Sequence, residues 1–247
     1  PHVGVMPDET IAVIPWEKKK YDILFSGTYY QPEARFGQLS QEVSPDSHLY
    51  RLFQGVYTAL REDSDLTVEQ AVRDTMARVN MSVSAEGEKT ILRCSESVDW
   101  AIRMYQRERV VQVLADAGFE LHLLGRGWEN HPSASQPNVH RIDDCIPYGQ
   151  TLAYMADARL NLNVMPGFKA GTHDRIFNTL LQHSLPLTDS SAWIDDHFTD
   201  GEDIALYSLK FLEQLPFITE RLLADPARSE TMIQRGYEKV AGAYTWT

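Results

Sequence analysis

Cysteine is almost missing: the 247 residues contain two, Cys94 and Cys145. They form no CxxC pair and stand near no histidine cluster with metal spacing. That argues against a disulfide framework and against a zinc site. Two lone thiols fit a reducing, cytoplasmic compartment. Positive charge is short as well, since 23 Lys and Arg face 35 Asp and Glu and leave a formal charge of -12. Nucleic-acid binding through phosphate neutralisation needs a basic face, so no nucleic acid is expected as partner. Anionic membrane surfaces are disfavoured on the same ground. A local basic pocket for a small phosphate ligand is compatible with the balance. No apolar run approaches the roughly 20 residues of a membrane span. GxSxG, HExxH, P-loop and EF-hand patterns are all absent. The chain opens on Pro1 and closes on Tyr244-Thr245-Trp246-Thr247. Both ends look cut, and the expectation is a piece of a longer protein.

What is present is an alternation of strands and helices. Apolar residues make up 43% and charged residues 23%, ordinary values for a globular protein. Residues 1–20 read as an irregular lead-in, with Lys18-Lys19-Lys20 as a solvated surface turn. In "YDILFSGTYY" a short apolar run ends in Ser26-Gly27-Thr28, a buried strand followed by a tight turn. Residues 37–100 read as a helical insertion. There Thr67-Val68-Glu69-Gln70 fits a capping box before an apolar pattern at Val68, Ala71, Val72, Thr75, Met76 and Val79. The apolar face of this insertion is expected to pack on the domain itself.

A helix over 100–117 is stopped by Gly118. "FELHLLGRGWEN" then alternates as a strand, and a short strand is expected over 139–142. A helix over 150–158 follows, then a strand in "RLNLNVM", a helix after Gly171, strands in "LPLTD" and "DIALYS", and closing helices over 209–224 and 228–244. The order predicts an α/β domain over 21–247, a Rossmann-like parallel sheet with helices on both faces. Ligands of such sheets bind outside the carboxyl ends of the strands. Gly27-Thr28, Gly125-Arg126-Gly127, Gly171 to Arg175 and Thr188-Asp189 all lie just after a strand. Their convergence on one edge is the main functional signal.

The stretch "GTHDRIFN", Gly171 to Asn178, puts a flexible glycine, an imidazole, a carboxylate and a guanidinium at a helix start. Free N–H groups and a partial positive charge there favour anions. Arg175 offers two parallel hydrogen bonds to a phosphate, and His173 a donor to a phosphate or a sugar hydroxyl. The alternative is purely local: Thr172 caps the helix, Asp174 favours the dipole and Arg175 pairs with an acid. Gly125-Arg126-Gly127 lacks a third glycine and a following helix, so it fails as a dinucleotide fingerprint and reads equally as a turn. Gly27-Thr28 with Arg35 reads as a second phosphate-side loop or as a plain turn. Tyr148, after Ile146-Pro147, either stacks on a base or packs in the core. Trp128 and Trp193 read as core or rim. His140, His183 and His197 stand alone and are not expected to be catalytic.

Several blocks together carry a family resemblance: "DILFSGTYY", "RERVVQVLADAGFELHLLGRGWE", "YMADARLNLNVMPGFKAGTHDRIFNTLL", "LPLTDSSAWIDDHFTDGEDIALYS" and the final "YTW". They resemble the carboxyl-terminal part of CgeB-like bacterial glycosyltransferases, relatives of the two-Rossmann (GT-B type) nucleotide-sugar transferases. The resemblance implies a donor-binding half, with a missing amino-terminal half supplying most acceptor contacts. It implies a nucleotide-sugar donor as substrate, no cofactor and no metal, the diphosphate being held by helix starts and basic side chains. Arg175 would then contact phosphate, with His173 and Asp174 beside it as candidate catalytic groups. Gly171, Thr172, His173 and Asp174 would line the sugar-phosphate site. Gly27 and Thr28 would flank the phosphates, with Arg35 near them. Gly125, Gly127 and Trp128 would form a supporting turn, and the loop from Cys145 through Ile146 to Tyr148 would hold the base.

There are departures. Ala170 and Asn178 stand where the wider retaining group carries two Glu, and His183 stands where Gly is common. The expected activity is sugar transfer to an acceptor that is a glycan, a protein or a small molecule. Two rivals are a nucleotide-sugar epimerase of the same architecture and a degenerate binding or assembly module.

Overall fold

The computed structural model describes residues 3–7, 13–142, 146–165 and 167–246. Six strands build one sheet: β1 (Tyr21–Ser26), β2 (Leu121–Leu124), β3 (Val139–Arg141), β4 (Ala158–Asn163), β5 (Leu185–Asp189) and β6 (Ala205–Tyr207). All neighbours are parallel, in the order β3-β2-β1-β4-β5-β6. Near-continuous burial along β1, β2, β4 and β5 is what a parallel sheet covered on both faces requires. β1 is central, with Phe25 opposite Leu123 of β2 on one side and Leu162 of β4 on the other. From β1 the chain winds outward to β3, then returns to start β4 on the other side of β1. The crevice at the carboxyl ends of β1 and β4 is the topological switch point of this doubly wound order.

Between β1 and β2 the chain is helical: α1 (Pro32–Gly37), α2 (Leu39–Glu42), α3 (His48–Glu62), α4 (Val68–Arg78), α5 (Ala85–Cys94) and α6 (Glu96–Asp116). The capping box is formed, with Thr67 Oγ1 accepting from Gln70 N–H and Gln70 Oε1 accepting from Thr67 N–H, each at 3.1 Å. Phe53, Val56, Ala71, Val72, Ile91, Val98 and Ile102 form a core separate from that of the sheet. Val79, expected in the apolar pattern, is 54% exposed because α4 ends one residue before it. α6 joins the two layers. Its first half packs in the helical core, while Val110, Val111 and Leu114 pack with Ile23 and Phe25 of β1. Gly118 stops α6 at φ +86°, with Gly118 N–H bonded to Ala115 O and Phe119 N–H to Leu114 O, the double bond of a Schellman cap.

The remaining helices are α7 (Tyr148–Ala156), α8 (Asp174–Leu181), α9 (Ala192–His197), α10 (Leu215–Ala224) and α11 (Pro226–Ala243). Leu24, which points away from Ile23 and Phe25 as strand alternation demands, packs with Met155 of α7. α8 and α11 share a cluster through Phe177, Leu180 and Val240. The boundaries differ from expectation by a few residues. α6 starts at Glu96, α7 at Tyr148, and a short 3-10 turn at Leu212–Gln214 precedes α10. The basic run Lys18-Lys19-Lys20 is not wholly solvated. Lys19 is 4% exposed, donates to Ala156 O, and burial lowers its pKa to about 8.

Candidate functional site at the sheet switch point

Beside the switch point, β1 and β2 both end in glycine-bearing turns. β1 runs into Ser26-Gly27-Thr28 and β2 into Gly125-Arg126-Gly127, and the two loops stay joined. Gly27 N–H donates to Leu124 O at 2.8 Å and Tyr29 N–H to Arg126 O at 2.9 Å. Gly125 and Gly127 have φ of +127° and +88°, and a Cβ would stand 2.4 Å from Gly27 O at the first and 2.0 Å from Tyr29 O at the second. Glycine is therefore required at both positions by conformation and by contact. Trp128 is 1% exposed and its Nε1–H donates to Gly27 O at 2.8 Å. It braces the β1 loop from behind.

A cleft of about 250 Å³ opens in front of these loops. Ser26, Gly27 and Thr28 line it from β1, Leu124 and Gly125 from β2, and Ile146, Tyr148, Thr151 and Met155 from α7 and the segment just before it. His173, Asp174, Arg175 and Asn178 close it at the start of α8. Nine residues singled out from the sequence thus meet here: Gly27, Thr28, Gly125, Ile146, Tyr148, His173, Asp174, Arg175 and Asn178. Five others lie outside the lining. Gly127 and Trp128 stand behind it. Gly171 and Thr172 precede α8, with Thr172 4% exposed. Arg35 lies 4.0 Å over the Tyr30 ring, beside a separate depression. Cys145 falls outside the described residues.

The cap of α8 is His173, not Thr172: His173 Nδ1 accepts from Arg175 N–H at 3.2 Å. The same nitrogen is 2.7 Å from Asp174 Oδ1. An unprotonated Nδ1 serves the cap, and a protonated one serves Asp174, so the tautomer decides which bond forms. Asn178 is 1% exposed and both ends of its amide are held. Its Nδ2 donates to Tyr148 Oη at 2.8 Å, and its Oδ1 accepts from Val5 N–H at 2.8 Å. Asn178 thereby fixes the otherwise half-exposed Tyr148 at the cleft mouth.

Arg175 reaches under the β1 loop. Its guanidinium is 5.5 Å from the Phe25 ring centre and donates to Asn163 Oδ1. Burial lowers its pKa, against the attraction of Asp174, Tyr207 and Asp189. Asp189, at the end of β5, is 3% exposed and accepts from Met165 N–H at 2.6 Å. Burial pushes its carboxyl up to about 7, so near neutrality it supplies only part of a counter-charge. Burial raises the Tyr207 hydroxyl too, and that group donates to Asn163 O.

Two further arginines, on α6, join this group. Arg107 Nη1 donates to Thr28 O at 2.6 Å, and its pKa is lowered to about 9 by burial, then by Arg175 and Arg103. Arg103 pairs with Asp99 at 2.8 Å. Sequence reasoning did not single out Arg103 or Arg107. Their i, i+4 spacing on a helix leading into a site strand is the signal that marks them. Three guanidinium groups with incomplete carboxylate compensation make the sheet edge attractive to anions.

A model of the glycosyl transferase-like family matches residues 103–247, more than half of the chain, and the chain belongs to that family. The match runs from Arg103 on α6 through the last helix and leaves out β1 and most of the helical layer. No curated protein matches. Among solved structures, TarM is similar over 57% of this chain and 30% of its own, at 11% identity and a TM-score of 0.45. A haloacid dehalogenase-like hydrolase from Xanthomonas campestris is similar over 85% of this chain and 99% of its own, at 12% identity and a TM-score of 0.31. Neither likeness bears on activity, and this chain spans less than a third of the length of TarM.

Proposed function

We propose that the chain is the donor-binding domain of a CgeB-like, GT-B type glycosyltransferase, with residues 21–247 as one Rossmann-like unit carrying a helical insertion at about 37–100. The observation that carries the reading is the placement of Arg175. A buried guanidinium meets a helix start and two glycine turns at the switch point of a 3-2-1-4-5-6 sheet. In this reading the diphosphate of a nucleotide-sugar lies against Gly27, Thr28 and the start of α8. Arg175 and the α8 dipole stabilise the charge that develops on the leaving diphosphate. Arg107 holds the Thr28 loop from below and adds to the field. No metal is needed in this scheme, since the guanidinium groups take the neutralising part.

Tyr148 and Ile146 flank the base, and Asn178 positions Tyr148. Asp174 and His173, which share a proton-sized gap at the cleft mouth, are the candidate catalytic pair. The cleft holds part of a nucleotide-sugar, and an amino-terminal half completes it around the acceptor, which is a glycan, a protein or a small molecule.

The test is product analysis with the full-length protein, a panel of nucleotide-sugars and EDTA present. A glycoside or a hydrolysed donor sugar supports transfer. An epimerised sugar points to the epimerase, and an unchanged donor that nonetheless binds points to a binding module. Either of those two results overturns the transferase reading.

A further inference from the structure

A second cavity, larger than the cleft, lies elsewhere in the fold. This cavity of about 340 Å³ lies between the helical layer and the loop that follows β4, inside the size range of small-molecule sites. Leu60, Leu66, Val68, Leu92 and Ile102 give it an apolar side. Gln106, Arg103, Ser64 and Lys169 give it a polar one, with Glu69, Glu96 and Asp99 around it. Gln106 is 1% exposed, yet its Oε1 has no hydrogen-bond partner among the described residues. The same holds for Arg103 Nε and Ser64 Oγ. Buried polar atoms in native structures are almost always satisfied, so three residues of one lining that each carry an unpartnered buried atom point to a polar ligand.

The atoms specify its chemistry. Arg103 Nε–H can only donate, while the Gln106 amide oxygen can only accept. A hydroxyl group does both, and a ligand carrying several satisfies all three positions at once. The lining holds three carboxylates against Arg103 and Lys169, a balance that disfavours an anion. The apolar side suits the C–H face of a sugar ring. The cavity is also placed for work with the cleft. Arg103 lies 5.7 Å over the Phe168 ring, Phe168 meets the His173 ring edge-on at 5.9 Å, and His173 lines the cleft. One aromatic side chain thus stands between the two spaces.

We infer that this cavity binds a neutral, hydroxyl-rich carbohydrate, the sugar moiety of the acceptor, using the helical layer of this domain. The assignment to the acceptor rests on the transferase reading above, and the binding of a carbohydrate does not.

The experiment is saturation-transfer difference NMR on the full chain with methyl α-glucopyranoside, methyl β-galactopyranoside, N-acetylglucosamine and myo-inositol, each with and without UDP. Inorganic phosphate, followed by its phosphorus line width, is the anionic control. At least one carbohydrate is expected to receive saturation. The signal should fall at least fivefold in Gln106→Leu and in Val68→Trp, which fills the cavity, and persist in Arg175→Ala. Lys169→Met, which removes the half-buried amine that donates to Ser64 O in the lining, serves should a core variant fail to fold, with the same fivefold fall expected. Absence of transfer to every carbohydrate would overturn the inference. So would a signal that survives the cavity variants, one lost in Arg175→Ala alone, or binding of phosphate only. A carbohydrate signal without nucleotide binding in the full-length protein would sink the transferase reading and leave this site standing.

Discussion

Raising the pH from 5 to 8 is expected to cost this fold stability through one carboxyl, that of Asp189. Burial moves it from 3.8 to about 7, a rise of about three units, and each unit corresponds to about 1.4 kcal/mol. The sign follows from proton counts. Between about pH 4 and pH 7 the folded chain holds this proton and the unfolded chain has released it. Stability therefore falls as pH rises through that window and stays low above it, by at most about 4 kcal/mol in total. The buried His131 and the half-buried His122 and His183, whose pKa values desolvation lowers, work in the opposite direction. The comparison must therefore be made against a variant. Asp189→Asn keeps an oxygen that accepts from Met165 N–H and has no charge to bury. Urea unfolding of both proteins at pH 5, 6, 7 and 8 gives the difference curve. The wild type should lose stability relative to the variant as pH rises, mostly before pH 7.5. A difference that is flat, or that grows in favour of the wild type, would refute the reasoning.

Other outcomes follow from the same geometry. Gly125→Ala combines a φ of +127° with a Cβ 2.4 Å from Gly27 O and should destabilise by roughly 3 kcal/mol or more, whereas Gly118→Ala, at φ +86° with open space around it, should cost only about 1 kcal/mol in the same unfolding assay. Trp128→Phe removes the bond to Gly27 O and leaves that carbonyl short of a donor. A loss of about 1–3 kcal/mol is expected, together with weaker nucleotide binding, because the β1 loop is freed. Asp189→Asn should bind nucleotide more tightly than wild type at pH 8 and nearly equally at pH 5, since only the ionised carboxyl competes for Arg175. Titrations at the two pH values check this.

The edge where the strands end was legible because each turn there needs residues that announce themselves: Gly27, Gly125 and Gly127 for close approach, and His173 to Arg175 for a helix start. The capping box at Thr67 and the stop at Gly118 were legible for the same reason, being set by local bonds. His183 adds a case in which a departure was visible first. At φ +53° it occupies the left-handed position after α8, with its N–H bonded to Leu180 O and Ser184 N–H to Thr179 O. Glycine favours that position, and stacking on Tyr237 at 4.2 Å accompanies histidine there.

What stayed hidden depends on contacts far apart in the chain. Arg107 reads as one charge on an amphipathic helix until the fold sets it against Thr28, 79 residues away. Lys19 reads as solvated until it meets Ala156. Trp128 sits one residue past a glycine turn, and only the path of the β1 loop makes it a brace. Thr172 precedes His173 by one residue, and either can cap a helix. Backbone direction at that corner gives the bond to His173.

The most direct test of the account is calorimetric titration of the full-length protein and its Arg175→Ala variant with UDP, GDP, CDP and dTDP in EDTA, repeated with Mg²⁺. Saturable binding of one nucleotide without metal is expected, with at least a tenfold loss in the variant. Binding that is unchanged by Arg175→Ala, or no binding of any nucleotide by the wild type, would contradict it.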